Sequence, residues 1–362
     1  MTTVGVIGAG QLGQMLGLAG RSLDLRFLFL DPAPNPPAKV AGPVLAFAFD
    51  DLEGIQQLAA RSDVVTYEFE NVPVSAIETI TAQVPVYPSA DALRNAQDRL
   101  VEKQLFERLG IPVAAFRAVD SIDDLQQACH DLNFPFVLKA RRLGYDGKGQ
   151  AIVRNAEQQV AAWRRLGRHP LIAEEWIPFD REVSVIGARR TGGDIAIYPV
   201  TENRHVSGIL RQSTAPMADA AISDTAQRYL RDLLRHLDYV GVMALELFVV
   251  GGRLLANEFA PRVHNSGHWT IEGAVTSQFE NHLRAILDLP LGDPAARGYA
   301  AMINLIGEMP CEIAALAAAG FLLHDYGKEP RPARKLGHLT TVADTAAGRD
   351  QRVKKALQIL KL

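Results

Sequence analysis

Glu246 and Glu258 are the residues of this chain best suited to chemistry, each standing in an otherwise apolar run, Val242–Val250 and Leu254–Phe259. A carboxylate in apolar surroundings is costly without a positive neighbour. Two of them on adjacent strands repel each other, so a cation is expected as their shared partner. Hard oxygen ligands, with Asn257 as a neutral donor, suit Mg²⁺ held together with substrate phosphates, and Mn²⁺ is the alternative ion. Two solvated glutamates on an exposed strand face are the competing reading. Directly after the second run come Arg262, His264, Asn265, Ser266 and His268, a polar cluster that reads as an active-site loop. His264 and His268 lack an H-E-x-x-H pattern and a third ligand, so zinc is not expected.

Further upstream, Lys139 ends a short apolar strand, Phe136–Leu138, and Arg141 to Gln150 follows as a glycine-rich loop carrying Lys148. Glycines let backbone N–H groups approach phosphates and lysine supplies a point charge. It is not a Walker loop, because Gly147-Lys148 is followed by Gly149 rather than Ser or Thr. Strand Leu171–Ala173 runs into Glu174-Glu175-Trp176-Ile177, and Glu182 enters the next strand. Such an apolar hinge can hold a purine, with a carboxylate beyond it for ribose hydroxyls. Thr201–Gln212, with Glu202, Asn203, Arg204, His205 and Arg211, reads as a polar lid-like loop. Asp325–His338 gathers Lys328, Arg331, Arg334, Lys335 and His338 and reads as a phosphate pocket.

These groups need a scaffold, and the sequence supplies one. Gly251-Gly252 between the two acidic runs predicts a hairpin turn. At the N-terminus, strand Val4–Ile7, the glycines Gly8, Gly10 and Gly13, and a second strand, Arg26–Leu30, ending at Asp31 match a G-x-G-x-x-G fingerprint. This keeps a nicotinamide-dependent oxidoreductase as a rival, although a lone fingerprint is weak. Glu68 and Glu70 follow strand Val64–Tyr67, where parallel sheets bind ligands. Ser89 caps a helix, Gly110 and Pro112 end the helix striped by Val101, Leu105 and Leu109, and a boundary is placed near Asn95. Further helices are predicted over Asp224–Leu237 and Ile271–Leu287.

With 362 residues, 48% of them apolar and 22% charged, the chain is expected to fold as two or three ordinary globular domains. No run of about 18 uncharged apolar residues exists, so no membrane span is expected. The N-terminus reads as a first strand rather than a leader. A net charge of −3 argues against a nucleic-acid surface. Two cysteines, Cys129 and Cys311, without metal-ligand spacing fit a reducing cytoplasm.

In their order, these signals resemble the ATP-grasp superfamily, and within it the 5-(carboxyamino)imidazole ribonucleotide synthases of purine biosynthesis. The resemblance runs over GAGQLGQML (Gly8–Leu16), YEFENVP (Tyr67–Pro73), GYDGKGQ (Gly144–Gln150), Thr201–Arg211, NEFAPRVHNSGHWT (Asn257–Thr270) and KLGHLT (Lys335–Thr340). It implies an α/β ATP-grasp fold: a Rossmann-like pre-ATP-grasp parallel-sheet domain at 1–95, a lid at 96–175, and a mixed-sheet domain at 176–362. It implies that ATP is lined by Arg99, Lys139, Gly144, Tyr145, Asp146, Gly147, Lys148, Gly149, Gln150, Glu174, Glu175, Trp176, Ile177, Glu182, His205, Asn257 and Glu258. Glu246 and Glu258 would hold Mg²⁺. Arg262, His264, Asp146 and Lys148 are the candidate catalytic residues, and Arg262 with His264, Asn265 and Ser266 would face bicarbonate-derived species and aminoimidazole ribonucleotide. Lys328, Arg334 and Lys335 would take the ribonucleotide's phosphate, with Gln11 and Glu68 as further candidates. The expected activity is ATP- and bicarbonate-dependent carboxylation of that ribonucleotide, in a homodimer. The rival within the fold is a ligase for another ribonucleotide or carboxylate. Leu143 stands where members of the family often carry glycine, which puts the loop's mobility in doubt.

Overall fold

The segments RFLFL (Arg26–Leu30) and VVTY (Val64–Tyr67) are almost wholly apolar and buried, as strands covered on both faces must be. They flank Thr3–Ile7 in a parallel four-stranded sheet whose edge is the short strand Val44–Leu45. The computed structural model describes residues 1–144 and 149–362. A second sheet of four antiparallel strands runs Phe116–Val119, Leu171–Glu175, Phe136–Ala140, Gln150–Val153. Helices Ile122–Leu132 and Ala156–Leu166 pack on it through Leu125, Ala128, Leu132 and Ala162, so this unit has its own small core.

The third sheet is antiparallel and has nine strands among the described residues. Its order begins Arg253–Ala260, Gly241–Val250, Arg181–Arg189, Thr201–Val206, Ile209–Ala215 and continues Tyr299–Ile306, Lys335–Ala343, Leu322–Asp325. One core joins it to the N-terminal sheet: Leu12, Met15 and Phe29 meet Ile186, Trp269, Phe279 and Met302. Among the described residues no helix is long and apolar enough to cross a membrane.

Three expectations about the elements change. Thr201–Gln212 is a hairpin, Thr201–Val206 with Ile209–Ala215, turning at Ser207 (φ 53°) and Gly208 (φ 76°). Its alternation was hidden because polar residues occupy the buried face too, Asn203 and Ser213 among them. The helix expected over Ile271–Leu287 is two, Thr270–Gly273 and Gln278–Ile286, because Ser277 caps the second by accepting the Glu280 N–H. The linker helix also breaks, at Asp98, into Ala90–Gln97 and Arg99–Arg108.

Candidate active site

Glu246 and Glu258 are direct cross-strand partners and therefore share one face of the sheet. The register slips immediately beyond them, from Glu246↔Glu258 to Leu247↔Ala256, which leaves Asn257 as the extra residue of a β-bulge. Bulges re-aim side chains beside active sites. Here one brings Asn257 and Glu258 to the end of the hairpin, where the polar loop begins. Glu258 is half exposed and its carboxylate lies 4.0 Å from Arg99. Glu246 is enclosed, with Oε1 3.1 Å from His264 Nε2. Burial works to raise the Glu246 carboxyl, but His264 and His205 outweigh it and hold it below the ordinary range.

The state of His264 follows from a one-way hydrogen-bond chain. Ser213 donates to Asn203 at 2.7 Å, Asn203 to Ser184 at 2.9 Å, and Ser184 to Ser266 at 2.7 Å. The Ser266 hydroxyl is left to donate to His264 Nδ1 at 2.8 Å, so the ring proton sits on Nε2 and points at Glu246. Asn265 is anchored in the same way, exchanging amide bonds of 3.1 and 2.7 Å with Asn304 and donating to His268 Nδ1 at 3.1 Å. Asn265 and Ser266 thus turn inward and fix the loop. His205 bonds Glu182 at 2.9 Å across neighbouring strands.

Arg262 meets a partner from the turn that follows strand Val64–Tyr67: its Nε donates to Glu70 Oε2 at 2.5 Å. Burial would raise the Glu70 carboxyl, yet the Arg262 charge prevails and takes it to about 2. Glu68 is buried and accepts the backbone N–H groups of Gly10 and Gly13. It therefore sits at the helix N-terminus where a dinucleotide would put its pyrophosphate. Asp31 is likewise engaged, accepting the N–H of Ala9 at 2.9 Å and of Ala33 at 2.8 Å. The fingerprint glycines make room for an internal carboxylate, and the nicotinamide expectation falls with that. A Cβ on Gly10 would stand 2.6 Å from Glu68 Oε1. Gly10→Ala is expected to cost about 1–3 kcal/mol of stability by overpacking, read from the urea midpoint.

Lys328 donates to Gln11 across the same seam. Burial lowers the Lys328 ammonium to about 8, with Arg334, Lys335 and Arg331 adding to the fall and Glu68 opposing it. The basic loop is thus drawn to the N-terminal helix rather than splayed in solvent. Arg334 donates to the Glu329 carbonyl at 3.1 Å, and Lys335 opens the strand Lys335–Ala343.

At the hinge, Lys139 reaches Glu174 Oε2 at 3.1 Å, and a lysine that sequence reasoning missed, Lys103, reaches the same oxygen at 3.3 Å. Burial would raise Glu174, and the two lysines instead lower it to about 2. The second oxygen, Oε1, is buried with no hydrogen-bond partner among the described residues. Arg99 donates to the carbonyls of Ala140 at 2.9 Å and Gly144 at 3.0 Å, and Asp98 takes Arg141 through bonds of 2.9 and 2.7 Å. Gly149 precedes the strand Gln150–Val153, whereas Tyr145, Asp146, Gly147 and Lys148 lie outside the described residues. Glu175 and Trp176 are exposed on the hinge, with Ile177 beside them. Nothing local marked Lys103, Asp98 or Glu102 as special, since each is one charge on an ordinary-looking helix. Glu70 carried only the signal of a strand end.

Among the described residues no group of three or more His, Cys, Asp or Glu side chains is arranged to hold a metal. The donor set fits Mg²⁺ nonetheless, because two hard carboxylates on one face leave coordination positions for phosphate oxygens and water.

The arrangement has relatives. Residues 1–97 match the ribonucleotide synthetase preATP-grasp domain, 104–279 the ATP-grasp domain, and 300–352 the phosphoribosylaminoimidazole carboxylase C-terminal domain. The chain is 48% identical to the N5-carboxyaminoimidazole ribonucleotide synthase of Pseudomonas aeruginosa over 93% of both chains. It superimposes on N5-carboxyaminoimidazole ribonucleotide synthetase from Thermus thermophilus with TM-score 0.94 and 48% identity, covering 98% of each chain. The synthase of Aspergillus clavatus, solved with ADP and 5-aminoimidazole ribonucleotide, gives TM-score 0.91 at 32% identity, covering 99% of this chain and 98% of that one. With three domain models in the expected order and near-complete coverage by such relatives, the chain belongs to the N5-carboxyaminoimidazole ribonucleotide synthase family of ATP-grasp ligases.

Proposed function

We propose that the chain carboxylates the exocyclic amine of 5-aminoimidazole ribonucleotide, using ATP and bicarbonate and releasing ADP and phosphate. The observation that carries this reading is the combination of three groups of residues: Glu246 with Glu258, Lys139 with Glu174, and Arg262 and Lys328 around Glu68. Bound between Glu246, Glu258 and the phosphates, Mg²⁺ would neutralise charge on the transferring phosphoryl group.

The chain's own groups then divide the work. Lys139 and Arg99 face the nucleotide and take up phosphate charge. Bicarbonate oxygen attacks the γ-phosphorus, the bond to ADP breaks, and carboxyphosphate results. The amine nitrogen attacks its carbon, the bond to phosphate oxygen breaks, and the nitrogen gives up one proton. With Nε on Glu70 and Nη1 donating to the Val263 carbonyl, Arg262 would meet a planar carboxylate through Nη2. Engagement of both ring nitrogens argues for His264 as an orienting group rather than the base that takes the amine proton. Asn265 and Ser266 act by fixing the loop. The four-stranded antiparallel sheet with its two helices, over 116–140 and 150–175, serves as a lid that shields the intermediate from water. We divide the chain at 1–95, 96–175 and 176–362, and place it in the cytoplasm as a homodimer; its two cysteines are unpaired.

ADP release measured with ATP, bicarbonate and the ribonucleotide, each omitted in turn, tests the reaction; release independent of the ribonucleotide would contradict it. Lys328→Ala is expected to raise the KM for aminoimidazole ribonucleotide by about 10–100-fold with kcat changed far less, since it removes phosphate binding. An unchanged KM refutes the phosphate pocket.

A further inference from the structure

We propose that Lys103 is a positioning residue of the nucleotide site, acting through Glu174 and the bulged peptide at Asn257. The inference rests on the ATP-site reading above and extends it to a residue outside the ATP-lining set. Lys103 lies on helix Arg99–Arg108 and is 2% exposed, a setting that an ammonium group tolerates only with its donors satisfied. All three have acceptors: the Asn257 carbonyl at 2.9 Å, the Ala256 carbonyl at 3.2 Å and Glu174 Oε2 at 3.3 Å.

Those acceptors belong to two separate parts of the site. Arg253–Ala260 is the edge strand of the large sheet, and among the described residues its outer side is met by a single bridge, Val113 to Ala256, rather than by a further strand. The bulge disturbs its inner pairing at the same point. Lys103 satisfies the two carbonyls beside the bulge. Its neighbour Glu102, also buried, accepts the Phe259 N–H at 2.6 Å, and Pro112 accepts the Ala256 N–H at 2.7 Å. Edge covering alone needs no contact with the lid sheet. Lys103 makes one, and that contact ties Glu174 on strand Leu171–Glu175 to the peptide preceding Glu258.

The consequence for Glu174 is geometric. Lys103 and Lys139 both converge on Oε2, which fixes the carboxylate's rotation and leaves Oε1 as a buried acceptor without a partner among the described residues. A buried acceptor left in this way is a place where an incoming donor gains a hydrogen bond. With Lys103 gone, Lys139 alone no longer defines that rotation, and the Asn257 peptide loses its outer anchor. The nucleotide should then bind less well, while the ribonucleotide pocket around Lys328 and Gln11 is untouched.

A double-mutant cycle separates positioning from simple edge covering. Wild type, Lys103→Met, Glu174→Gln and the double variant are compared by steady-state ADP release against ATP and against aminoimidazole ribonucleotide. In Lys103→Met the KM for ATP is expected to rise about tenfold while the KM for the ribonucleotide changes less than about twofold. The double variant is expected to raise the ATP KM by less than the product of the two single effects, and by no more than about threefold beyond Glu174→Gln, since Lys103 has lost one of the two groups it acts through. A fall in kcat at unchanged ATP KM, as from a smaller folded fraction, overturns the proposal, and so do multiplicative effects in the double variant. Should Lys103→Met be insoluble, the double variant, which removes both buried charges, still gives the comparison with Glu174→Gln. Wild type that releases no ADP under any combination would instead refute the functional reading itself.

Discussion

Glu258→Gln should lower ADP release by about 10²–10³-fold while leaving the unfolding midpoint almost unchanged. The side chain is half exposed and its nearest ion-pair contact among the described residues is Arg99 at 4.0 Å, so the fold gains little from its charge. Glutamine keeps the shape and one carbonyl oxygen, and removes only the negative charge that a divalent cation needs. Glu246→Gln should produce a similar loss by a different route. Its carbonyl can still accept from His264 Nε2–H, so the chain from Ser213 to the loop survives, and charge alone is again what disappears. Turnover within tenfold of wild type in both variants would remove the metal assignment. A large loss accompanied by a collapse of the thermal midpoint would instead make these carboxylates structural.

A second large effect concerns acid. His282 is enclosed beneath the N-terminal sheet, accepting the Val242 N–H on Nδ1 at 3.1 Å and bonding Thr66 through Nε2 at 2.9 Å. Protonation would require Nδ1 to give up its acceptor role in an apolar setting, and burial lowers the group from 6.5 to about 4. A base whose folded value is depressed contributes stability that is complete above the unfolded value and is lost as pH falls towards the folded one. The window is therefore about pH 6.5 down to 4, and the contribution at stake is about 3 kcal/mol. His268 and His338 are depressed by burial in the same direction. Glu68 and Glu102 are raised by burial and work the opposite way, stabilising the fold as pH falls. Glu70 and Glu174, at about 2, lose their contribution only below the ordinary carboxylate range. The informative quantity is accordingly a difference. Urea midpoints of wild type and His282→Gln, measured from pH 7 to pH 4.5, should converge as the pH falls, because glutamine has no proton to take up. Parallel curves would show that His282 does not titrate in that window.

Much of this was legible without coordinates. Arg26–Leu30 and Val64–Tyr67 are strands because their apolar runs leave no other way to be buried, and Gly251-Gly252 (φ 54° and 76°) turns the hairpin as expected. That hairpin puts Glu246 opposite Glu258, since residues paired across antiparallel strands must share a face. Local pattern failed where both faces of an element carry polar groups, as in Thr201–Val206. It failed again where a cap inside a periodic stretch ends a helix early, as Ser277 does.

The sequence by itself determined most of the strands, the acidic hairpin and the family to which the order of its motifs belongs. Tertiary structure alone decided what each charge meets. Glu68 fills the N-terminal glycine loop 55 and 58 positions away, Glu70 holds Arg262 across 192, and Lys103 joins Glu174 to the Asn257 peptide. The physical reason is that periodicity records which face of an element is buried, whereas the partner of a buried charge is fixed only when distant elements pack together.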